Sequence, residues 1–185
     1  MNTPPTSRQA PGRPRRRWQR WAIDIALVLA VVFAIQAWQG RDHLPRGADS
    51  DAPAFQLATI AGGTLSLDDL QGDAVALHFW ATWCAACRTE LGALERLHNR
   101  TPDGRRLVTV AVNSGDAETL QAFADERGLS FPILIDDGTI AGRYRVTAFP
   151  TTYYLSPGGS ITSSDVGIST TTGMRFRLWR AARRG

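Results

Sequence analysis

Cys84 and Cys87 are the only cysteines among 185 residues, and they sit together in Trp83-Cys84-Ala85-Ala86-Cys87. The run before them, Val75-Ala76-Leu77-His78-Phe79-Trp80, has the apolar character of a buried strand. The run after them, Arg88 to Asn99, is patterned as a helix. Two thiols at this spacing, at a strand-to-helix junction, can close into a small-loop disulfide or open into a reactive dithiol. A helix N-terminus favours negative charge, so it draws the first thiol below the free pKa of about 8.5. Exchange chemistry needs that attacking thiolate and a second thiol close enough to resolve the mixed disulfide.

Other uses of the pair fit less well. A bridge across so short a loop removes little chain entropy, so a purely structural disulfide gains little. A structural zinc site takes about four ligands, and there is no second cysteine pair. His43, His78 and His98 are scattered along the chain. A Cys-x-x-Cys among alternating strands and helices points to redox work.

The formal net charge is +4, and every basic residue is arginine. Six of the 21 arginines lie in the first twenty residues and five in the last eleven. Residues 21–174 thus hold ten arginines against all seventeen acids, a net of −7. The body is acidic and the basicity belongs to the ends, which excludes a nucleic-acid surface on the folded part. Residues 1–20 are rich in Pro, Arg and Ser, without acids, and are expected to be a disordered cytoplasmic tail. Next comes the apolar stretch Ala22 to Trp38. At helical rise it spans roughly 26 Å, near the bilayer hydrocarbon thickness of about 30 Å. Trp18, Trp21 and Trp38 bracket it as interfacial residues do, and Asp24 can snorkel beside Arg20. Small-x-small cleavage signals are poor around Ile35 to Gly40, and the arginine cluster lacks the full twin-arginine pattern. Residues 21–39 are therefore expected to be a single-pass transmembrane signal anchor with the arginines inside. Residues 40–53 read as a polar linker, and 54–185 as the folded domain.

Phe55-Gln56-Leu57 and Thr64 to Leu67, split by Gly62-Gly63, predict a hairpin, with a short helical turn at Asp68-Asp69. Leu91, Leu94 and Leu97 form the inward stripe of the helix after the cysteines, which puts Glu90 and Glu95 towards its polar side. Leu107 to Val112 has the β-branched, apolar character of a parallel strand buried on both faces. Ala117 to Arg127 predicts an amphipathic helix ended by Gly128, and Phe131 to Ile135 is a short apolar run. Thr151 to Leu155, the turn Ser156-Pro157-Gly158-Gly159 and Ser160 to Val166 predict an antiparallel hairpin. A last helix is expected from about Thr170, with Met174, Leu178 and Ala181 inward. Such alternation, closed by a strand hairpin, predicts an α/β three-layer fold around a mixed central sheet.

Phe79-Trp80-Ala81-Thr82-Trp83-Cys84-Ala85-Ala86-Cys87-Arg88-Thr89-Glu90 resembles the active-site segment of the thioredoxin superfamily. It is most similar to the membrane-tethered, periplasmic TlpA/ResA/CcmG/ScsD-like branch. Val146-Thr147-Ala148-Phe149-Pro150-Thr151 resembles that superfamily's second motif, whose proline is cis and faces the dithiol. With Asp136, Tyr144 and the Pro157-Gly158-Gly159 turn, the likeness covers about residues 52–183. Three positions depart from the pattern. His78 stands where thioredoxins carry a buried acid, Gly92 where a proline often kinks the helix, and Phe149 where smaller residues are common.

The resemblance implies a thioredoxin-like fold and a protein-disulfide oxidoreductase with Cys84–Cys87 as its redox-active disulfide and no cofactor or bound metal. Cys84, nearest the helix start, is the expected nucleophile and Cys87 the resolving thiol. Pro150 would present the backbone of Phe149 to a substrate strand, and Trp83 would cover one side of the disulfide. Trp83 packed beside Trp80 accounts for it equally. His78 is a candidate proton acceptor for Cys87, against a simply packed, hydrogen-bonded histidine. Glu90 follows the family pattern, and a helix-surface pair with Arg88 or Arg96 explains it as well. Expected partners are exported proteins with cysteines and a membrane electron-transfer protein of the DsbD/CcdA type. The expected place is the bacterial inner membrane, with the domain in the periplasm.

Ala85-Ala86 adds no histidine donor to the thiolate, which favours a moderately reducing couple over an oxidising one. A potential of about −270 mV or below marks a reductant, and one near about −120 mV an oxidant. Two other functions use the same residues. A Cu(I) assembly chaperone would hold the metal with Cys84, Cys87 and His78. A thiol peroxidase would need a Pro-x-x-x-Thr-x-x-Cys segment, and Ala81-Thr82-Trp83-Cys84 lacks that spacing.

Overall fold

The computed structural model describes Trp21, Asp24, Leu27 and residues 50–184. The tail over 1–20 and nearly all of the expected anchor over 21–39 lie outside these residues. Among the described residues no helix is long and apolar enough to cross a membrane. The chain divides into two units, Met1–Arg41 and Asp42–Gly185.

The elements of the second unit, in chain order, begin with strands β1 (Ser50–Asp51), β2 (Gln56–Ala58) and β3 (Thr64–Ser66). A 3-10 turn (Asp68–Leu70) leads into β4 (Ala74–Trp80) and helix α1 (Ala85–His98). Strand β5 (Arg105–Val112), helix α2 (Ala117–Arg127), strand β6 (Ile133–Asp136) and helix α3 (Thr139–Arg143) come next. Strands β7 (Thr151–Leu155) and β8 (Ser160–Val166) and helix α4 (Thr171–Ala182) complete the unit. Six strands form one sheet in the order β1-β8-β7-β4-β5-β6, while β2 and β3 pair as a separate hairpin. Strands β4, β5 and β6 are parallel, and β7 and β8 run antiparallel to their neighbours. The expected mixed sheet is present.

Strand β4 lies at the sheet's centre, and all seven of its residues are buried. Its alternation sorts the core into two layers. Ala76 and Trp80 face one cluster with Leu91, Leu94 and Leu97 of α1, Leu120 and Ala124 of α2, and Met174, Leu178 and Ala181 of α4. Val75, Leu77 and Phe79 face the other, with Phe55, Leu70, Ile140, Tyr144 and Tyr153. Each buried leucine contributes about 1.5–3 kcal/mol of transfer free energy, so both sheet faces are strongly committed. Local signals close the helices. Asp116 caps α2 by accepting from Thr119 N–H (2.9 Å), and Gly128, at φ 60°, ends it in the left-handed region. Thr170 caps α4 through Gly173 N–H at 3.1 Å.

Two expectations are corrected, and one element was not foreseen. The helix after the cysteines starts at Ala85 rather than Arg88, because Cys84 itself serves as its N-cap. The sheet begins inside the supposed linker: Ser50 and Asp51 pair with Ile161 and Ser160 of β8, and Ala52 is buried. Tyr144 secures that entry, its hydroxyl donating to Pro53 O at 2.9 Å while Tyr153 donates to Tyr144 O at 2.5 Å. Helix α3, which the sequence pattern misses, is held by a buried carboxylate instead of an apolar stripe. Asp136 Oδ1 accepts from Ile140 N–H (3.0 Å) and Oδ2 from Ala141 N–H (2.9 Å).

Asp136→Ala would leave two buried N–H donors without a partner, at a cost of about 2–4 kcal/mol in total. Urea unfolding should show that loss as a lower midpoint with an unchanged slope. An unmoved midpoint would mean that α3 is held by something other than Asp136.

Candidate active site

The buried strand β4 ends at Trp80 and delivers the chain into Ala81-Thr82-Trp83-Cys84 at the C-terminal end of the central parallel strands. This stretch is tied to the end of β5. Thr82 N–H donates to Ser114 Oγ (3.0 Å), and Trp83 Nε1 donates to Asn113 O (3.1 Å). Asn113 takes a positive φ of 47°, a conformation asparagine tolerates better than most residues. Arg88, in the first turns of α1, donates back to Thr82 O at 3.0 Å. The cysteine loop is therefore pinned from both sides.

Cys84 and Cys87 are disulfide-bonded, with Cα atoms 5.3 Å apart. Cys84 is 9% exposed and Cys87 fully buried, so an incoming sulfur has access to Cys84. Cys84 Sγ accepts from Cys87 N–H at 3.1 Å. In the reduced protein the same amide would donate to a Cys84 thiolate, a charge-assisted bond added to the helix-terminus field. The first turn of α1 contains no acid to oppose it.

The Phe149–Pro150 peptide is cis. Pro150 is buried, and its carbonyl accepts from Gly167 N–H at 2.8 Å, which joins this loop to the end of β8. Phe149 packs against the cluster that includes both cysteines and meets Trp83 edge-on, ring centroids 5.6 Å apart. Trp83 is otherwise open, 60% exposed. The structure thus brings Trp83 together with Phe149, rather than with Trp80.

His78 lies on the same sheet face as Trp80 and is completely buried. Its Nδ1 shares a 2.9 Å hydrogen bond with Thr152 Oγ1, and Nε2 has no partner among the protein atoms. Burial lowers its pKa to about 3, so the ring stays neutral. Strand register places Thr109, His78, Thr152 and Asp165 in one row across the sheet.

Glu90 corrects the sequence expectation. It is buried on the inner side of α1 and, among the described residues, makes no surface ion pair. Oε1 accepts from Ser169 N–H at 2.9 Å, while Oε2 has no partner. Burial raises its pKa from the usual 4.5 to about 7, the Ser169 amide pulls it down, and the nearby Asp165 charge pushes it up. Asp165 is held by Arg177 (3.0 Å), Tyr154 Oη (3.2 Å) and Ser169 Oγ (3.3 Å). The spacing holds the missed signal. Glu90 stands three residues after Cys87, on the helical face that also carries Leu94 and Leu97. Among the described residues, no three His, Cys, Asp or Glu side chains gather as a metal site.

A sequence model of the AhpC/TSA family matches residues 48–164. The chain is 37% identical to the thioredoxin-like protein YneN of Bacillus subtilis over 167 residues, covering 86% of this chain and 97% of that protein. It is 36% identical to the thiol-disulfide oxidoreductase ResA of Oceanobacillus iheyensis over 148 residues, 77% of each chain. The crystal structure of StoA from Bacillus subtilis superimposes with a TM-score of 0.61 at 26% identity, covering 71% of this chain and 99% of StoA. The fold, the bonded cysteine pair and these relatives agree: the chain belongs to the AhpC/TSA family and is a thioredoxin-like thiol–disulfide oxidoreductase.

Proposed function

We propose that this protein is a membrane-anchored, extracytoplasmic reductant that exchanges disulfides with exported proteins through Cys84 and Cys87. The observation that carries this reading is the bonded pair at the α1 N-terminus, with the outer sulfur accessible and the inner one buried. The Cys84 thiolate attacks a substrate disulfide, breaking that bond and releasing one substrate thiolate. Cys87 then attacks Cys84, which releases the second substrate thiolate and closes the Cys84–Cys87 bond. Two electrons pass to the substrate, and a membrane donor of the DsbD/CcdA type would return them. The backbone of Phe149, just before the cis-Pro150, would pair with the substrate strand, with Trp83 flanking it. The anchor over 21–39 rests on its apolar run and the arginines before it. The bacterial inner membrane and the periplasm follow from that asymmetry and the family branch. A reducing potential is favoured by the plain Ala85-Ala86 dipeptide.

Resolution requires that Cys87 lose its proton inside the protein. We assign that proton to Glu90, one helical turn along the same face. Its affinity near neutrality suits transfer at pH 7, whereas His78 at about 3 is too weak a base. His78 is then a packing residue that holds Thr152.

The two cysteines should fail differently. Cys84→Ser should abolish attack on a disulfide substrate, while Cys87→Ser should accumulate a mixed disulfide through Cys84, seen as a mass adduct lost on reduction. Trapping by Cys84→Ser alone would reverse the roles.

Glu90→Gln should slow resolution of a Cys84-linked substrate about a hundredfold at neutral pH. The deficit should shrink in alkali as Cys87 ionises unaided, and His78→Ala should leave the step nearly unchanged. Stopped-flow rates across pH decide this, and the reverse ranking would return the role to His78. Stability carries a second signature. Glu90 binds its proton more tightly folded than unfolded, so the native state should lose stability as pH rises from about 4.5 through about 7. Glu90→Gln should flatten that slope.

A further inference from the structure

Helix α4 has a second face that the exchange chemistry does not use. Met174, Leu178 and Ala181 bury one side against the sheet. On the opposite side Phe176 is 57% exposed and stacks on Trp179, ring centroids 5.9 Å apart at 23°. The Arg183 guanidinium lies 3.9 Å over the Trp179 ring. Arg175, Arg180 and Arg184 are exposed around this pair. The sequence has no carboxylate side chain after Asp165, so the side chains of this end are wholly cationic on a body that is otherwise acidic.

We propose that this face docks on an anionic phospholipid surface. The charge identifies an anionic partner, and the aromatic pair identifies which kind. Arginines alone would serve an acidic protein face in water. A stacked phenylalanine and tryptophan set among arginines match the headgroup boundary, where rings enter the acyl edge and guanidinium groups stay with phosphates. Each arginine near such a surface strengthens binding about fivefold. The proposal goes beyond disulfide exchange and does not depend on the anchor, because the face belongs to the unit Asp42–Gly185. The docking face is fastened to the helix that carries the cysteines: Thr171 Oγ1 donates to Ala93 O (3.2 Å) and Ser169 N–H donates to Glu90 Oε1 (2.9 Å), so α4 starts beside the middle of α1.

Both core clusters lie within Asp42–Gly185, so this unit can be tested alone, without the N-terminal segment. Its binding should be measured by co-sedimentation with vesicles of phosphatidylcholine and with vesicles of equal parts phosphatidylcholine and phosphatidylglycerol. The expected result is binding to the phosphatidylglycerol vesicles only, weakened by salt, with a blue shift of tryptophan fluorescence that Trp179→Phe removes. Arg180→Gln with Arg183→Gln should weaken binding about twenty-five-fold, and Phe176→Ser should weaken it severalfold at unchanged charge. Reduction of a soluble disulfide substrate should be the same in all variants, showing that they fold. Equal sedimentation with both vesicle types, or none, would overturn the proposal. So would vesicle binding that needs the arginines but ignores Phe176→Ser, with no blue shift for Trp179→Phe to remove, since the aromatic pair would then take no part in the docking.

Discussion

The bond from Cys87 N–H to Cys84 Sγ is the contact on which the site depends. A helix start needs an acceptor for its free amides, and here the acceptor is a sulfur that also carries the redox chemistry. Capping and activation are therefore the same interaction. It holds because β4 is buried along its whole length and cannot shift register without exposing a core face. The tie from Thr82 to Ser114 and that from Trp83 to Asn113 then fix where α1 begins.

Next to α1 the core is not uniformly apolar. Glu90, Asp165, Ser169, Tyr154 and Arg177 form a connected polar group between α1, α4 and the end of β8. Burying a carboxylate is costly unless it is paired or neutral. Glu90 meets that constraint by holding its proton up to about neutral pH. Buried His78 is likewise neutral, but by giving up its second proton. Strand β4 carries no acid, and a buried acid stands instead on α1, three residues after Cys87.

Much of this was legible in the sequence where one residue type dictates one geometry. Helix α2 lies between the expected ends because Asp116 and Gly128 supply both caps. The β7–β8 hairpin matches because Pro157-Gly158-Gly159 forces the turn between two runs of strand-forming residues. Strand β1 was hidden, since two polar residues have no periodicity and pair only because β8 offers an edge. Helix α3, at five residues, is too short for a 3.6-residue pattern and depends on one carboxylate three residues before its start. Glu90 was misplaced because hydrophobic patterning assigns every glutamate to the solvent side. Burial of a functional acid runs against that rule.

The central claim is that the α1 N-terminus stabilises a thiolate at Cys84 and not at Cys87. Thiolate ultraviolet absorbance of the reduced protein, followed against pH, tests it most directly. One thiol should ionise well below the free value, within about 3.5–7.5, and that step should vanish in Cys84→Ser. Two thiols ionising at about 8.5 or above, or a low step that survives in Cys84→Ser, would contradict it.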